Sequence, residues 1–357
     1  MAKTILIKVG TNVLTKADEK LDLEQIEGLV DQIAELKTQG FHVVLISSGA
    51  VGAGLELNDF SSVKDKVIRK QMLAAIGQNY LMQIYSKYFK KHKITIAQAL
   101  LSRSDFAIRE KYLNIKNTIL ALLENDIVPI INENDVVSTE ELSFSDNDIL
   151  ASYTAALIKA DKFIILTVVD GLYNKDPSNP GAKLIEEVEK IDDKILGACD
   201  KTTSSLGLGG MESKVNAAKI ATDLGIETIV TNGKTQKLRE VLRGDSIGTT
   251  FCAQNEKKKS IYYWLLAGSE VKGKIIVDEG AAKAVKNRKS LLFVGLVEVE
   301  GDFGKGDTIE VHNQEKEKIA VGLSNYDIKE IKRKLVQPKE TLKNLKEVIH
   351  CDNLKVL

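Results

Sequence analysis

From the N-terminus to roughly residue 250, short unbroken apolar runs alternate with longer segments whose apolar positions recur every three or four residues. The runs are Thr4–Val9, Val43–Ser47, Ile127–Ile131, Phe163–Val168 and Thr228–Thr231. They are rich in Ile, Val and Leu and lack clean polar alternation, the pattern of strands buried on both faces. Between them, Leu23–Gln39 carries Ile26, Leu29, Val30, Ile33 and Leu36 at helical spacing, and Gly40 is suited to end that helix. Val67–Lys90 reads as a long helix. Met211–Leu224 puts Val215, Ala218, Ala221 and Leu224 on one face and stops at Gly225. Strands and helices in this alternation predict an α/β fold, a mainly parallel sheet sandwiched by helices.

The pattern changes after residue 250. Gln254-Asn255-Glu256-Lys257-Lys258-Lys259 is a polar run that suits a linker. Beyond Lys272 come short strand-like segments at Gly273–Val277, Ser290–Val294, Val297–Val299, Thr308–His312 and Ile319–Leu323, punctuated by Gly301, Gly304 and Gly306. They predict a small β-rich domain. The expected division is 1–253 for the α/β domain, 254–271 for the linker and 272–357 for the β-rich domain, and 357 residues are enough for both.

Charge narrows the function classes. Fifty basic and fifty acidic side chains balance, so no global field points to nucleic acid or a membrane surface. No apolar run approaches the roughly 18–20 residues of a membrane span. The opening MAKTILIKVG enters a strand directly and lacks the long apolar region of a signal peptide. Cys199, Cys252 and Cys351 are far apart and odd in number, which argues against a disulfide or zinc framework. A cytoplasmic protein is expected.

Candidate chemistry gathers where strands end. Lys8 closes the first apolar run, and Gly10 would let backbone approach phosphate oxygens; a strand-end lysine reaching solvent fits the same residues. Ser48-Gly49-Ala50 follows the second strand in a GxxGxG spacing that is neither the dinucleotide order nor a P-loop. It would make a backbone nest for a carboxylate, or simply a tight strand–helix turn. Asn132-Glu133-Asn134-Asp135 ends the next strand. Asp135 suits an ammonium and Asn132 a carboxylate or amide, although such residues also make turns unaided. Asp146-Asn147-Asp148 precedes an apolar helix and could cap it, or a carboxylate there could bridge two lysines. Thr167, Val168, Asp170 and Gly171 leave another strand toward a possible nucleotide wall. In Gly207-Leu208-Gly209-Gly210-Met211-Glu212-Ser213-Lys214, glycines open a helix whose N–H groups suit a phosphate. Lys214 falls in the first turn, where it opposes the helix dipole, as expected of a cation placed for an anion.

Two fixed cations in an α/β framework suit phosphoryl transfer, where charge spreads over the moving group. None of His42, His92, His312 and His350 lies in these motifs. A hydroxyl acceptor usually wants a base, whereas a carboxylate is already ionised at neutral pH. The residues therefore favour an acidic acceptor.

These elements, with Lys70-Gln71 and Ala75-Ile76-Gly77-Gln78, occur in order over residues 3–231 and resemble the glutamate 5-kinases of the amino-acid kinase family. The tail from Gly273, with Val277-Asp278-Glu279-Gly280-Ala281, is similar to a PUA domain. The resemblance implies ATP-dependent phosphorylation of the L-glutamate side-chain carboxylate as the first step of proline biosynthesis, with Mg²⁺ carried mainly by ATP. It gives Lys8 and Lys214 the transferring phosphoryl group and Asp148 the task of organising both lysines. Ser48, Gly49, Ala50, Asn132, Asp135 and Asn147 would hold glutamate. Lys8, Gly10, Thr167, Val168, Leu208, Gly209, Gly210, Met211 and Lys214 would line the ATP site, with no metal ligand from the protein. Val168 stands where many relatives have Asp, and Leu208 where Thr is common. The resemblance also implies a homo-oligomer and feedback inhibition by proline. PUA domains elsewhere bind RNA, yet residues 272–357 hold 17 basic and 14 acidic residues, a net of +3 that is weak for a nucleic-acid surface. The run Lys329-Glu330-Ile331-Lys332-Arg333-Lys334 is the best candidate patch, yet a solvated helix face fits it better. A kinase of the same fold acting on another acceptor is the enzymatic alternative.

Overall fold

The computed structural model describes residues 2–137, 147–199, 210–245, 247–254, 271–342 and 345–356. The chain divides into two compact units, each with its own sheet. In the first, from which Phe106–Tyr112 are excepted as part of the second, the elements run β1 (Thr4–Val9), α1 (Thr11–Leu14), α2 (Leu23–Thr38), β2 (His42–Ser47), α3 (Ala50–Leu57), α4 (Lys66–Lys91), β3 (Ile96–Leu101), α5 (Arg103–Ala107), α6 (Arg109–Glu124) and β4 (Val128–Glu133). They continue as α7 (Asn147–Ile158), β5 (Lys162–Thr167), β6 (Glu187–Val188), α8 (Asp193–Cys199), α9 (Met211–Thr222), β7 (Glu227–Asn232), α10 (Leu238–Arg243) and β8 (Gly248–Phe251).

The eight strands lie in the order β3-β4-β2-β1-β5-β7-β8-β6. All pairings are parallel except β7 with β8. The chain fills one side of β1 with β2, β3 and β4, then crosses to build the other side from β5. The carboxyl end of β1 is thus the switch point at which ligands of open α/β sheets collect. Alternation along β1 decides what points there. Ile5, Ile7 and Val9 enter the core shared with Ile26, Val30 and Ile33 of α2 and with Leu81 and Tyr85 of α4. Lys8 therefore projects from the opposite face of the sheet.

Two helices are held by caps that the sequence supplies locally. Asp22 accepts from the Gln25 N–H at the start of α2, and Asp65 accepts from the Val67 and Ile68 N–H groups at the start of α4. Helices α3 and α4 cross closely enough that a Cβ on Gly77 would lie 1.8 Å from the Ala50 carbonyl oxygen, and one on Gly54 2.1 Å from that of Leu73. Only glycine allows that approach.

The second unit contains β9 (Val271–Val277), α11 (Glu279–Lys286), β10 (Leu296–Gly301), β11 (Thr308–His312), β12 (Lys318–Leu323), α12 (Ile328–Leu335) and β13 (Leu354–Val356). Its sheet order is β10-β9-β11-β12-β13. Ile275, Val277, Phe293, Ile309, Val311 and Ile331 are among its core residues. The strand expected over Ser290–Val294 is not formed. A 3-10 turn occupies Phe293–Gly295, and only Leu291 makes a bridge, to Ile349. Apolar content alone cannot separate a strand from a buried turn. In α12, Ile328 and Ile331 are buried while Lys332, Arg333 and Lys334 complement the negative end of the helix. Lys334 Nζ lies 5.9 and 5.8 Å from the ring centres of Phe293 and Tyr326. The basic run is thus a helix face with a structural use. The linker expected over 254–271 falls almost wholly outside the described residues. Among the described residues, no helix is long and apolar enough to cross a membrane.

Candidate active site

Three buried charges meet beneath the end of β1. Lys8 Nζ is 2.6 Å from Asp148 Oδ1, and Lys214 Nζ donates to Asp148 Oδ2 at 3.1 Å. The residues are 3%, 0% and 7% exposed, respectively. Lys8 is the penultimate residue of β1, Asp148 the second of α7 and Lys214 the fourth of α9. The two helices pack against each other, and both carry small buried residues, Ala151 and Ala155 on α7 and Ala217, Ala218 and Ala221 on α9. That lets two elements far apart in sequence share one carboxylate. Holding a lone cation desolvated is costly, and pairing each lysine with one oxygen of Asp148 offsets the cost. Two ammonium groups on one carboxylate leave the cluster with an excess of positive charge, the complement of a phosphoryl group.

Gly10 lies beside the cluster. Its N–H donates to the Leu166 carbonyl at 3.1 Å, and a Cβ there would stand 3.8 Å from Lys8 Nζ. A side chain would begin to fill the space above the ammonium. Gly210 caps α9, with open space around the position of a Cβ, and Met211 is the first residue of the helix. The Ser213 hydroxyl in that same turn is buried with no hydrogen-bond partner among the described residues. A buried orphan hydroxyl beside a buried lysine fits a ligand with acceptor oxygens. Leu208, Gly209 and Asp146 lie outside the described residues.

A neutral polar chain lies next to the charged cluster. Gln78 of α4 accepts from Asn132 Nδ2 at 2.9 Å. Asn132 Oδ1 accepts from Asn147 Nδ2 and from the Glu133 N–H, both at 2.9 Å. Asn147 Nδ2 also donates to the Ser48 hydroxyl at 2.9 Å. The chain links the ends of β2 and β4 to the start of α7, next to Asp148. Asn147 Oδ1 is buried with no hydrogen-bond partner among the described residues, an acceptor awaiting a donor. Gly49, with φ +101°, turns β2 into α3, and Ala50 begins that helix, so its first N–H groups face this end of the sheet. Asp135, just past β4, is 3.4 Å from Lys70 Nζ of α4. Burial raises the Asp135 pKa; Lys70 opposes the rise, and Glu133 adds to it.

The third wall follows β5. Thr167 is buried, and its carbonyl accepts from the Gly233 N–H at 2.8 Å. Val168 is exposed and presents its carbonyl to Asn232 Nδ2 at 3.3 Å. Asp170 accepts from Asn232 at 3.1 Å and from the Tyr173 hydroxyl at 3.3 Å. Gly171 is required by packing, since a Cβ there would lie 2.5 Å from Thr249 Oγ1.

The structure thus brings Lys8, Asp148 and Lys214 together and links Ser48, Asn132 and Asn147 by hydrogen bonds. Gln78 and Lys70 belong to the same end of the sheet, yet they carried no expected role. Beyond their place in the motifs quoted for the resemblance, a signal for Gln78 is a polar residue within the apolar stripe Leu73, Ala74, Gly77, Leu81 of α4.

The profile of the amino acid kinase family matches residues 3–232, and that of the PUA domain matches residues 273–342. A curated protein of Thermoanaerobacter sp. named glutamate 5-kinase is 42% identical over 362 residues, covering 99% of this chain and 97% of its own. The glutamate 5-kinase of Pasteurella multocida is 40% identical over 328 residues, covering 91% of this chain and 89% of its own. Among solved structures, carbamate kinase from Giardia lamblia bound to AMP-PNP aligns with a TM-score of 0.54 at 22% identity, covering 71% of this chain and 99% of that one. At that identity the likeness speaks for the fold alone.

Proposed function

The chain belongs to the amino acid kinase family, and from that premise we propose that it is a glutamate 5-kinase, which phosphorylates the side-chain carboxylate of L-glutamate with ATP to give L-glutamyl 5-phosphate and ADP. The observation that carries this reading is the buried Lys8–Asp148–Lys214 cluster beside a neutral, hydrogen-bonding acceptor end. Similarity to proteins named glutamate 5-kinase over nearly the whole chain supports the choice of acceptor.

In this reading Lys8 and Lys214 hold the phosphoryl group as negative charge spreads over its oxygens. Asp148 fixes the spacing of the two ammonium groups and lowers the cost of burying them. Gly10, Thr167, Val168, Gly210 and Met211 line the nucleotide side, with Leu208 and Gly209 assigned there by their place in the motif. Ser48, Gly49, Ala50, Asn132, Asp135 and Asn147 hold glutamate, and Asn147 Oδ1 and Asp135 offer acceptors to its ammonium. A carboxylate nucleophile needs no proton removed, so Lys8, Asp148 and Lys214 act without a histidine base. Both oxygens of Asp148 are engaged by lysines, so this carboxylate is not free to hold a metal; Mg²⁺ would be carried by the phosphates of ATP and would supply charge neutralisation there.

The same reading divides the chain into a kinase domain over 1–253, a linker over 254–271 and a PUA-like domain over 272–357. It makes the protein a cytoplasmic homo-oligomer of proline biosynthesis. Proline shares the α-carboxylate and amine of glutamate and would inhibit by overlapping the Asn132–Asn147 end.

The test is acyl-phosphate formation trapped with hydroxylamine, using Mg-ATP and L-glutamate, L-aspartate or N-acetyl-L-glutamate, with UMP followed by ADP release. Strong turnover is expected with L-glutamate alone. Preference for another acceptor would leave the fold and remove the substrate.

A further inference from the structure

Lys70 and Asp135 stand at the rim of the acceptor end, above the neutral polar chain. Helix α4 touches the end of β4 at two levels. Gln78 meets Asn132 at depth, where both are buried. Lys70, about two turns earlier on the helix, meets Asp135 nearer solvent, with side chains 52% and 16% exposed.

The charges at this rim are unequal in their surroundings. The Asp135 side chain is 16% exposed with Glu133 nearby, and Lys70 Nζ stands 3.4 Å from it. The deeper residues, Gln78, Asn132, Asn147 and Ser48, are uncharged. An α-amino acid brings an ammonium and a carboxylate on the same carbon. Its ammonium has acceptors at Asp135 and at the orphan Asn147 Oδ1. Its α-carboxylate, arriving beside Asp135 and Glu133, would be repelled without a cation. The Lys70–Asp135 contact is long at 3.4 Å and its lysine is half-exposed. Opening it leaves the shielded Asp135 carboxylate without its cation unless another replaces it, and the incoming ammonium does so while Lys70 turns to the α-carboxylate, so the pair's two charges are the mirror of the zwitterion's.

Resting on the reading that L-glutamate is the acceptor, we propose that Lys70 and Asp135 part to receive the α-carbon head group, Asp135 taking the ammonium and Lys70 the α-carboxylate. Lys70 is then the residue that selects a charged α-carboxylate over a neutral group of the same shape.

The experiment uses the full-length protein with Mg-ATP and compares L-glutamate with L-isoglutamine, whose α-carboxylate is replaced by a carboxamide. A charge-assisted contact predicts that wild-type KM is higher for L-isoglutamine by roughly ten-fold or more. Lys70→Met should raise KM for L-glutamate by a similar factor, exceed any loss in kcat, and barely move KM for L-isoglutamine. The preference then collapses, and Lys70→Arg should restore most of it. Lys70 is on an exposed helix face, so the variants should fold. A Lys70→Met enzyme with wild-type KM for L-glutamate, or with both KM values raised together, would overturn the assignment. Wild-type protein that does not phosphorylate L-glutamate at all would instead overturn the reading on which it rests.

Discussion

Lys214 satisfies two opposing demands. A cation in the first turn of α9 opposes the helix dipole, and burial raises the cost further. Asp148 answers part of that cost through a 3.1 Å hydrogen bond while already sharing its other oxygen with Lys8. The position makes sense when an anion completes the cluster. Lys214→Ala removes one cation and leaves a neutral Lys8–Asp148 pair, so the fold should persist, as circular dichroism would show. The rate constant kcat should fall by roughly a hundred-fold or more, the scale of losing one group that stabilises developing charge. Near-normal turnover would exclude the role. Lys8 and Lys214 were legible in the chain because each follows a local rule, a strand end and a glycine-opened helix. Gln78 and Lys70 stood in quoted motifs but had no role there, because α4 meets the end of β4 only through the fold.

At the level of elements, glycines govern how close α3 and α4 come, and hence where Gln78 and the start of α3 lie. A Cβ at Gly77 would sit 1.8 Å from the Ala50 carbonyl oxygen and 2.3 Å from the Gly54 nitrogen. Gly77→Ala should therefore destabilise the protein by about 3 kcal/mol or more, at the upper end of overpacking costs, and raise KM for glutamate as the helices separate. Gly28 is the counterpart inside α2, with nothing within 4 Å of its would-be Cβ. Gly28→Ala should stabilise by about 0.5–1 kcal/mol through the lower entropy of the unfolded chain. Urea unfolding of both variants checks the pair; equal effects would refute the close-contact account. The strands and helices that were named in the first unit lie within a few residues of their observed bounds, because burial leaves a strong apolar signal, but helix α6 (Arg109–Glu124) was not read. Strand β3 (Ile96–Leu101) was missed. It lies at the sheet edge, and five of its six residues are half-buried or exposed. Ser290–Val294 erred the other way, since its apolar side chains fill a core from a turn.

At the scale of the whole molecule, each unit closes its own core, the second around Ile275, Val277, Ile309, Val311 and Ile331. A polypeptide of residues 258–357 should thus unfold in a single cooperative urea transition; a gradual, non-cooperative change would show that its core is incomplete alone. The order of apolar runs was enough to establish a mainly parallel α/β unit followed by a β-rich one, because two-sided burial and glycine punctuation are local properties of sequence. The identity of the charged and amide residues at strand ends was likewise written in the chain, and with it the class of chemistry. The chain order could not say which of those residues meet. That Asp148 gives one oxygen to each lysine, that Asn147 joins Ser48 to Asn132, and that α4 brings Gln78 and Lys70 to the end of β4 depend on strand order and on helix packing through alanine and glycine. Contacts between residues tens to hundreds of positions apart are decided by how the elements pack, and only the folded structure contains that information.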